Sequence, residues 1–194
     1  MAPILVCSLT STAVFIVKWM QVRSARVDDW AWAQDPLDAV QAQSLPRAQE
    51  ILQKEEHPAA RVLHGAISVL AERPSRAEAE AQRLGSLELQ ALEAHLALLA
   101  FIARVAPLLG LLGTVLGMVD LFLGLQGSGL QDVDVALLSS GIWKALLTTA
   151  AGLVVAVPTL AGHAYLVART DAFRLGLHNV VQRMLTAATP SKAA

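Results

Sequence analysis

The stretch that decides the fold reads VAPLLGLLGTVLGMVDLFLGL at 105–125 and, after a short polar loop and lead-in, ALLTTAAGLVVAVPTLAGHAYLV at 145–167. Each run is at or above the roughly 20 apolar residues that cross the hydrocarbon core of a bilayer. Each is also rich in small residues: Gly110, Gly113, Thr114 and Gly117 in the first; Ala145, Thr148, Thr149, Gly152 and Ala156 in the second. Helices in lipid gain nothing by hiding leucine from leucine, so close backbone approach at small residues has to hold them together. The spacing predicts a helix pair that packs tightly and presents a few hydroxyls along a seam.

Composition agrees. Of 194 residues, 55% are apolar and 16% charged, against a typical charged share of about 25%, which places the chain in the membrane class. The net charge of -1 comes with no cluster of Lys and Arg, so nothing suits a nucleic acid. Cys7 is alone, which excludes an intramolecular disulfide and a thiol metal site.

Outward from the pair, residues 3–19 form a third apolar run, uncharged until Lys18. No basic stretch precedes it and no small-x-small site follows, so it reads as an uncleaved first span and not as a signal peptide. Residues 21–95 differ. They are rich in Ala, Glu, Gln and Arg, and Pro36, Pro46, Pro58 and Pro74 divide them into short pieces. Helical spacing appears at 46–56 and 59–73. Ser75 with Glu78 resembles a capping box. From there Ala77, Ala81, Leu84, Leu87, Ala91, His95, Leu98 and Ile102 recur every three or four residues. One long helix is expected, beginning in water near Ser75, weakened locally at Gly85 and entering the membrane around 96–105.

The expected fold is therefore all-α: an integral membrane protein with three transmembrane helices whose long helices extend into the cytoplasm. Its divisions are a first span at 1–20, a cytoplasmic helical region at 21–95, a second span at 96–126, a periplasmic loop at 127–141, a third span at 142–168 and a tail at 169–194. The tail reads as an extension of the third helix, with a surface-lying helix as the alternative. Lys and Arg set the orientation. Lys18, Arg23 and Arg26 follow the first run, Arg83 and Arg104 precede the second, and Arg169, Arg174 and Arg183 follow the third. Residues 126–140 have none, and carry Asp132 and Asp134. The N-terminus is expected outside and the C-terminus in the cytoplasm.

Charged groups in spans are expensive. Asp120 and Lys144 sit near the outer ends of the second and third helices at similar depth, where they could pair or flank the outer mouth of an ion path. Thr114 and Thr149 lie deeper. Thr149 shares a face with Ala145, Gly152 and Ala156, while Thr148 is expected to point elsewhere. Pro107 and Pro158 are expected to kink or open their helices. His163, near the inner end of the third span, reads as an interfacial hydrogen-bonding group. No enzyme or cofactor motif stands out: there is no GxxxxGK[ST], no HExxH among the five histidines and no GxSxG.

At APLLGLLGTVLGMVDLF followed by ALLTTAAGLVVAVPTLAGHAYL the sequence resembles the ExbB/TolQ/MotA family of proton-channel proteins. Three spans and a short chain look like the ExbB/TolQ branch. The resemblance implies a homopentamer, an oligomeric helical bundle whose second and third helices line a central pore in the bacterial inner membrane. It implies a single-span ExbD/TolR-like partner whose membrane Asp carries the proton, with Thr114 and Thr149 facing that pore. It also implies a TonB/TolA-like transducer that passes the motion outward, so that the proton motive force energises envelope or outer-membrane processes. One position departs: Lys144 stands where that branch usually has Glu. A non-conducting membrane scaffold that holds the same partner is the competing reading, and Lys144 is its best support. A substrate transporter is weaker, since no inverted repeat and no mid-span charged site is found.

Overall fold

In a computed structural model, residues 2–26, 29–127 and 135–188 are described. Among them the chain is all helix. In order come α1 (Ala2–Ser24), α2 (Gln34–Gln41), α3 (Leu45–Gln53), α4 (Pro58–Glu72), α5 (Ala77–Glu93), α6 (Leu96–Gly127) and α7 (Val135–Ala188). Short 3-10 turns precede α2 and α5, at Ala31–Ala33 and Pro74–Arg76. Three helical stretches, within α1, α6 and α7, are long and apolar enough to cross a membrane. The expectation of an all-α chain with three long apolar helices holds on these residues. Asp132 and Asp134, on which part of the loop reading rests, lie outside them.

Prolines mark helix starts as their missing N–H dictates. Pro46 and Pro58 stand in the first positions of α3 and α4. Two expectations need correcting here. The capping box at Ser75 is not made: Pro74–Arg76 is a 3-10 turn, and α5 starts at Ala77 with no side-chain cap. The single long helix from Ser75 is two helices, interrupted at Ala94 and His95. Ala94 is extended (φ -51°, ψ 133°) and His95 is left-handed (φ 68°). Apolar recurrence runs straight across this break because the heptad-like pattern reports which face is buried, not whether every backbone bond continues. α7 is helical from Val135.

Contacts divide the chain into two compact units, Met1–Val17 with His95–Tyr165, and Lys18–Ala94 with Leu166–Ala194. In the first, α6 and α7 pack along small residues, and Phe15 of α1 lies against Gly162, where an added Cβ would come within 2.7 Å of its ring. Ile4 and Ser11 are buried on the same stripe of α1.

In the second unit α4 packs on α3 and α5. Its core holds Val62, Leu63 and Ile67 of α4, and Phe173 and Met184 of α7. Arg61 joins α4 to α5 by a bidentate pair with Glu88 (2.8 and 2.7 Å). Buried Lys18 donates to the Gln21 side chain and to the Ala91 carbonyl, both at 2.9 Å. Ala91 lies in the last turn of α5, whose carbonyls lack helical partners, so a cation suits the site. His57 is almost fully buried beside Trp30, Trp32 and Phe173, with ring centroids 5.1, 4.9 and 5.9 Å away. Its Nδ1 accepts the Ala59 N–H at 3.2 Å, while Nε2 has no hydrogen-bond partner among the described residues. Burial holds its pKa below the ordinary histidine value, against an opposing pull from the Arg26 carbonyl and Asp29.

Candidate ion pathway

The site is built on a seam between α6 and α7, within the first unit. Ala106, Gly110, Gly113 and Gly117 recur at spacings of four and three, which puts them on one stripe of α6. They meet Ala145, Thr148, Thr149 and Gly152 of α7. An added Cβ on Gly152 would lie 2.6 Å from the Ala106 carbonyl oxygen and 3.1 Å from the Gly110 Cα. One on Gly110 would lie 3.0 Å from the Thr149 Cα, and one on Gly117 3.2 Å from the Ala145 Cβ. The glycines are therefore points of backbone contact, as lipid-embedded packing requires. Further along, Leu121 fills the space against Gly141.

Into this seam the chain turns two hydroxyls. Thr149 Oγ1 donates to the Gly110 carbonyl at 3.2 Å. Thr148 Oγ1 lies 2.6 Å from the Ala145 carbonyl and 3.3 Å from the same Gly110 oxygen. The expectation that Thr148 points elsewhere is thus corrected. Adjacent residues are separated by about 100° on a helix, and because Gly113 has no side chain the seam is wide enough to admit both. Thr114 is half-exposed, and its hydroxyl returns to its own helix at the Leu111 carbonyl, 2.7 Å away.

The structure brings together Gly110, Gly113, Gly117, Gly152 and Thr149 from the sequence-derived candidates. It does not bring Asp120 and Lys144 into an ion pair: both are exposed, and no salt bridge joins them among the described residues. Pro107 and Pro158 lie inside α6 and α7, which run on through them. Spacing does not single out the buried Thr159, whose hydroxyl bonds the Val155 carbonyl at 2.7 Å. Thr148 does carry a signal, since it lies three residues after Ala145 and four before Gly152. His57 carried no signal short of its folded neighbours.

Chemically the seam offers hydroxyls and carbonyl oxygens but no titratable group at mid-depth. Asp120 and Asp171 are the acids of α6 and α7; Asp120 stands in the last third of α6, and Asp171 follows the apolar run of α7. Around the seam α6 presents Leu108, Leu111, Leu112, Val115 and Leu116 outward, and α7 presents Leu153, Val154 and Val157, all exposed in the single chain.

A family model described as the MotA/TolQ/ExbB proton channel family matches residues 51–179, a stretch that contains the whole seam. The chain is 46% identical to the biopolymer transport protein exbB1 of Vibrio cholerae over 67 residues, 34% of this chain and 29% of that one. It is 33% identical to the Tol-Pal system protein TolQ of Haemophilus influenzae over 99 residues, 51% and 42% of the two chains. It is 33% identical to the biopolymer transport protein ExbB of Salmonella typhimurium over 87 residues, 45% and 35% of the two. The chain thus spans less than half the length of each of these relatives. With the family match running from α3 into the second half of α7, this chain belongs to the MotA/TolQ/ExbB proton channel family.

Proposed function

We propose that this chain is the proton-channel subunit of a bacterial inner-membrane motor complex that uses the proton motive force to energise envelope or outer-membrane transport. The observation that carries the reading is the α6–α7 seam. There the Thr148 and Thr149 hydroxyls both reach the Gly110 carbonyl, and the Thr114 hydroxyl lies beside Gly113 on the facing helix. Hydroxyls can relay a proton through a hydrogen bond but do not ionise near neutral pH, so in this reading the titrating group comes from another chain. In this reading it is the membrane Asp of a single-span, ExbD/TolR-like partner, enclosed by five copies of this chain. Thr114 and Thr149 are its hydrogen-bonding neighbours on the pore side, and a TonB/TolA-like transducer receives the motion. The N-terminus lies outside and the C-terminus in the cytoplasm. One charge crossing about 100 mV supplies roughly 2.3 kcal/mol, so several protons suffice for a mechanical step.

The test is proton flux in liposomes holding this chain and its ExbD/TolR-like partner, wild type against Thr149→Val. Flux that depends on the partner and falls about tenfold or more, a loss of about 1.4 kcal/mol or more at the barrier, is the expected result. The scaffold reading is favoured by one observation, the exposed cation Lys144 in place of an acid. Unchanged flux in Thr149→Val, or none with an assembled partner, would take its side.

A further inference from the structure

The seam fixes a register that leaves two charges unaccounted for. Gly117 stands against Ala145, and Leu121 against Gly141. Asp120 is therefore level with Ile142, and Lys144 with Met118. The two charged residues differ by two positions along the helix pair, about 3 Å of rise. Both are exposed, and neither makes an ion pair or hydrogen bond with a described residue. Their surroundings are apolar: α6 exposes Leu116, Val119 and Leu123 nearby, and α7 exposes Trp143 and Leu147. A carboxylate and an ammonium on helices of this kind are costly unless each finds an opposite charge or water.

We propose that Lys144 of one copy of this chain pairs with Asp120 of the neighbouring copy. Charge complementarity identifies the occupant. Each copy carries one cation and one anion at one depth, so a closed ring of identical copies pairs every charge and leaves none over. A partner present in fewer copies than this chain would leave some lysines or aspartates bare. The contact is heterologous, the α7 flank of one copy on the α6 flank of the next, and the exposed leucines and valines beside the charges supply its apolar area. The proposal rests on the reading of this chain as a ring-forming channel subunit. It deepens that reading by naming the residues that join the copies, and by giving Lys144 a role that a carboxylate at its position could not fill.

The experiment uses full-length chain in native membranes, in a Cys7→Ala background. Two differently tagged populations are co-expressed, one carrying Asp120→Cys and the other Lys144→Cys, and are oxidised with copper phenanthroline. A covalent dimer bearing both tags is expected, and the Asp120→Cys/Lys144→Cys double variant should give a ladder of oligomers. Monomer alone in the mixed population, an intramolecular disulfide in the double variant, or cross-linking only to a different protein would each overturn the proposal. Charge reversal is the second arm. Asp120→Lys and Lys144→Asp should each lose the oligomer on a native gel, and their combination should regain it; no regain would overturn the pairing. Neither arm reads proton flux. A ladder without conduction would keep the interface and defeat the channel reading, and conduction without a ladder would do the reverse.

Discussion

The Thr149 hydroxyl of α7 donates to the Gly110 carbonyl of α6 at 3.2 Å, across a seam where the two backbones touch. That contact exists because Gly110 and Gly152 carry no side chain. A branched residue at 152 would drive carbon into the Ala106 carbonyl, which is backbone and cannot rotate away. Gly152→Val is therefore expected to lose at the upper end of the roughly 1–3 kcal/mol typical of overpacking, read as a lowered unfolding midpoint in detergent. Gly124→Val is its control, since a Cβ there meets nothing within 4 Å. Equal losses in the two would show that the seam is not where the helices are held.

Thr148 and Thr149 share one acceptor. The one Thr148 proton goes to the Ala145 carbonyl at 2.6 Å and can turn to the Gly110 oxygen when Thr149 is gone, so Thr149→Val should cost about 0.6 kcal/mol, the usual value for a hydrogen bond between membrane helices, and Thr148→Val less. The double variant strips both donors and should cost more than the two single losses added together. A double-variant cycle on unfolding in detergent measures this, and strict additivity would mean that the two bonds do not substitute for one another.

His57 gives the second unit a pH dependence of known sign. Burial among Trp30, Trp32 and Phe173 depresses its pKa, and the charged groups acting on it are Asp29, Arg26 and Arg61. In the unfolded chain it protonates near the ordinary value of about 6.5. Above that pH neither state carries the proton and nothing is lost. As pH falls below it, the unfolded state alone takes up a proton, so stability declines until the folded state protonates too. The unfolding temperature should drop between pH 7.5 and 5.5 more steeply in the wild type than in His57→Gln. Parallel slopes would remove His57 as the cause.

Gly176 lies under Trp30: an added Cβ would run into the ring, which itself stacks on Phe173 at 5.8 Å between centroids. Gly176→Ala should displace the indole and destabilise this unit by roughly 1–3 kcal/mol, with a changed near-ultraviolet circular dichroism signal. Arg61→Ala should cost less, within about 1 kcal/mol, because its pair with Glu88 is solvent-exposed on the arginine side. The reverse order of losses would mean that charge pairing, and not the aromatic packing, holds this unit together.

Apolar length, small-residue spacing and proline positions sufficed to read three long apolar helices, the short helices α3 and α4, and a stripe of Gly110, Gly113 and Gly117 ready to meet Gly152, but not α2 or a separate α5. These are local properties, set by what a helix buries and what lipid solvates. Four features needed the tertiary structure. The break at Ala94 and His95 depends on backbone angles that apolar recurrence does not record. Thr148 turns into the seam because Gly113 opposite leaves room, a fact about the partner helix. Asp120 and Lys144 stand level yet unpaired because the α6–α7 register and their side-chain directions decide it. His57 was one histidine among five until Trp30, Trp32 and Phe173 closed around it. Residues far apart in the chain acquire their chemistry only when packing chooses their neighbours.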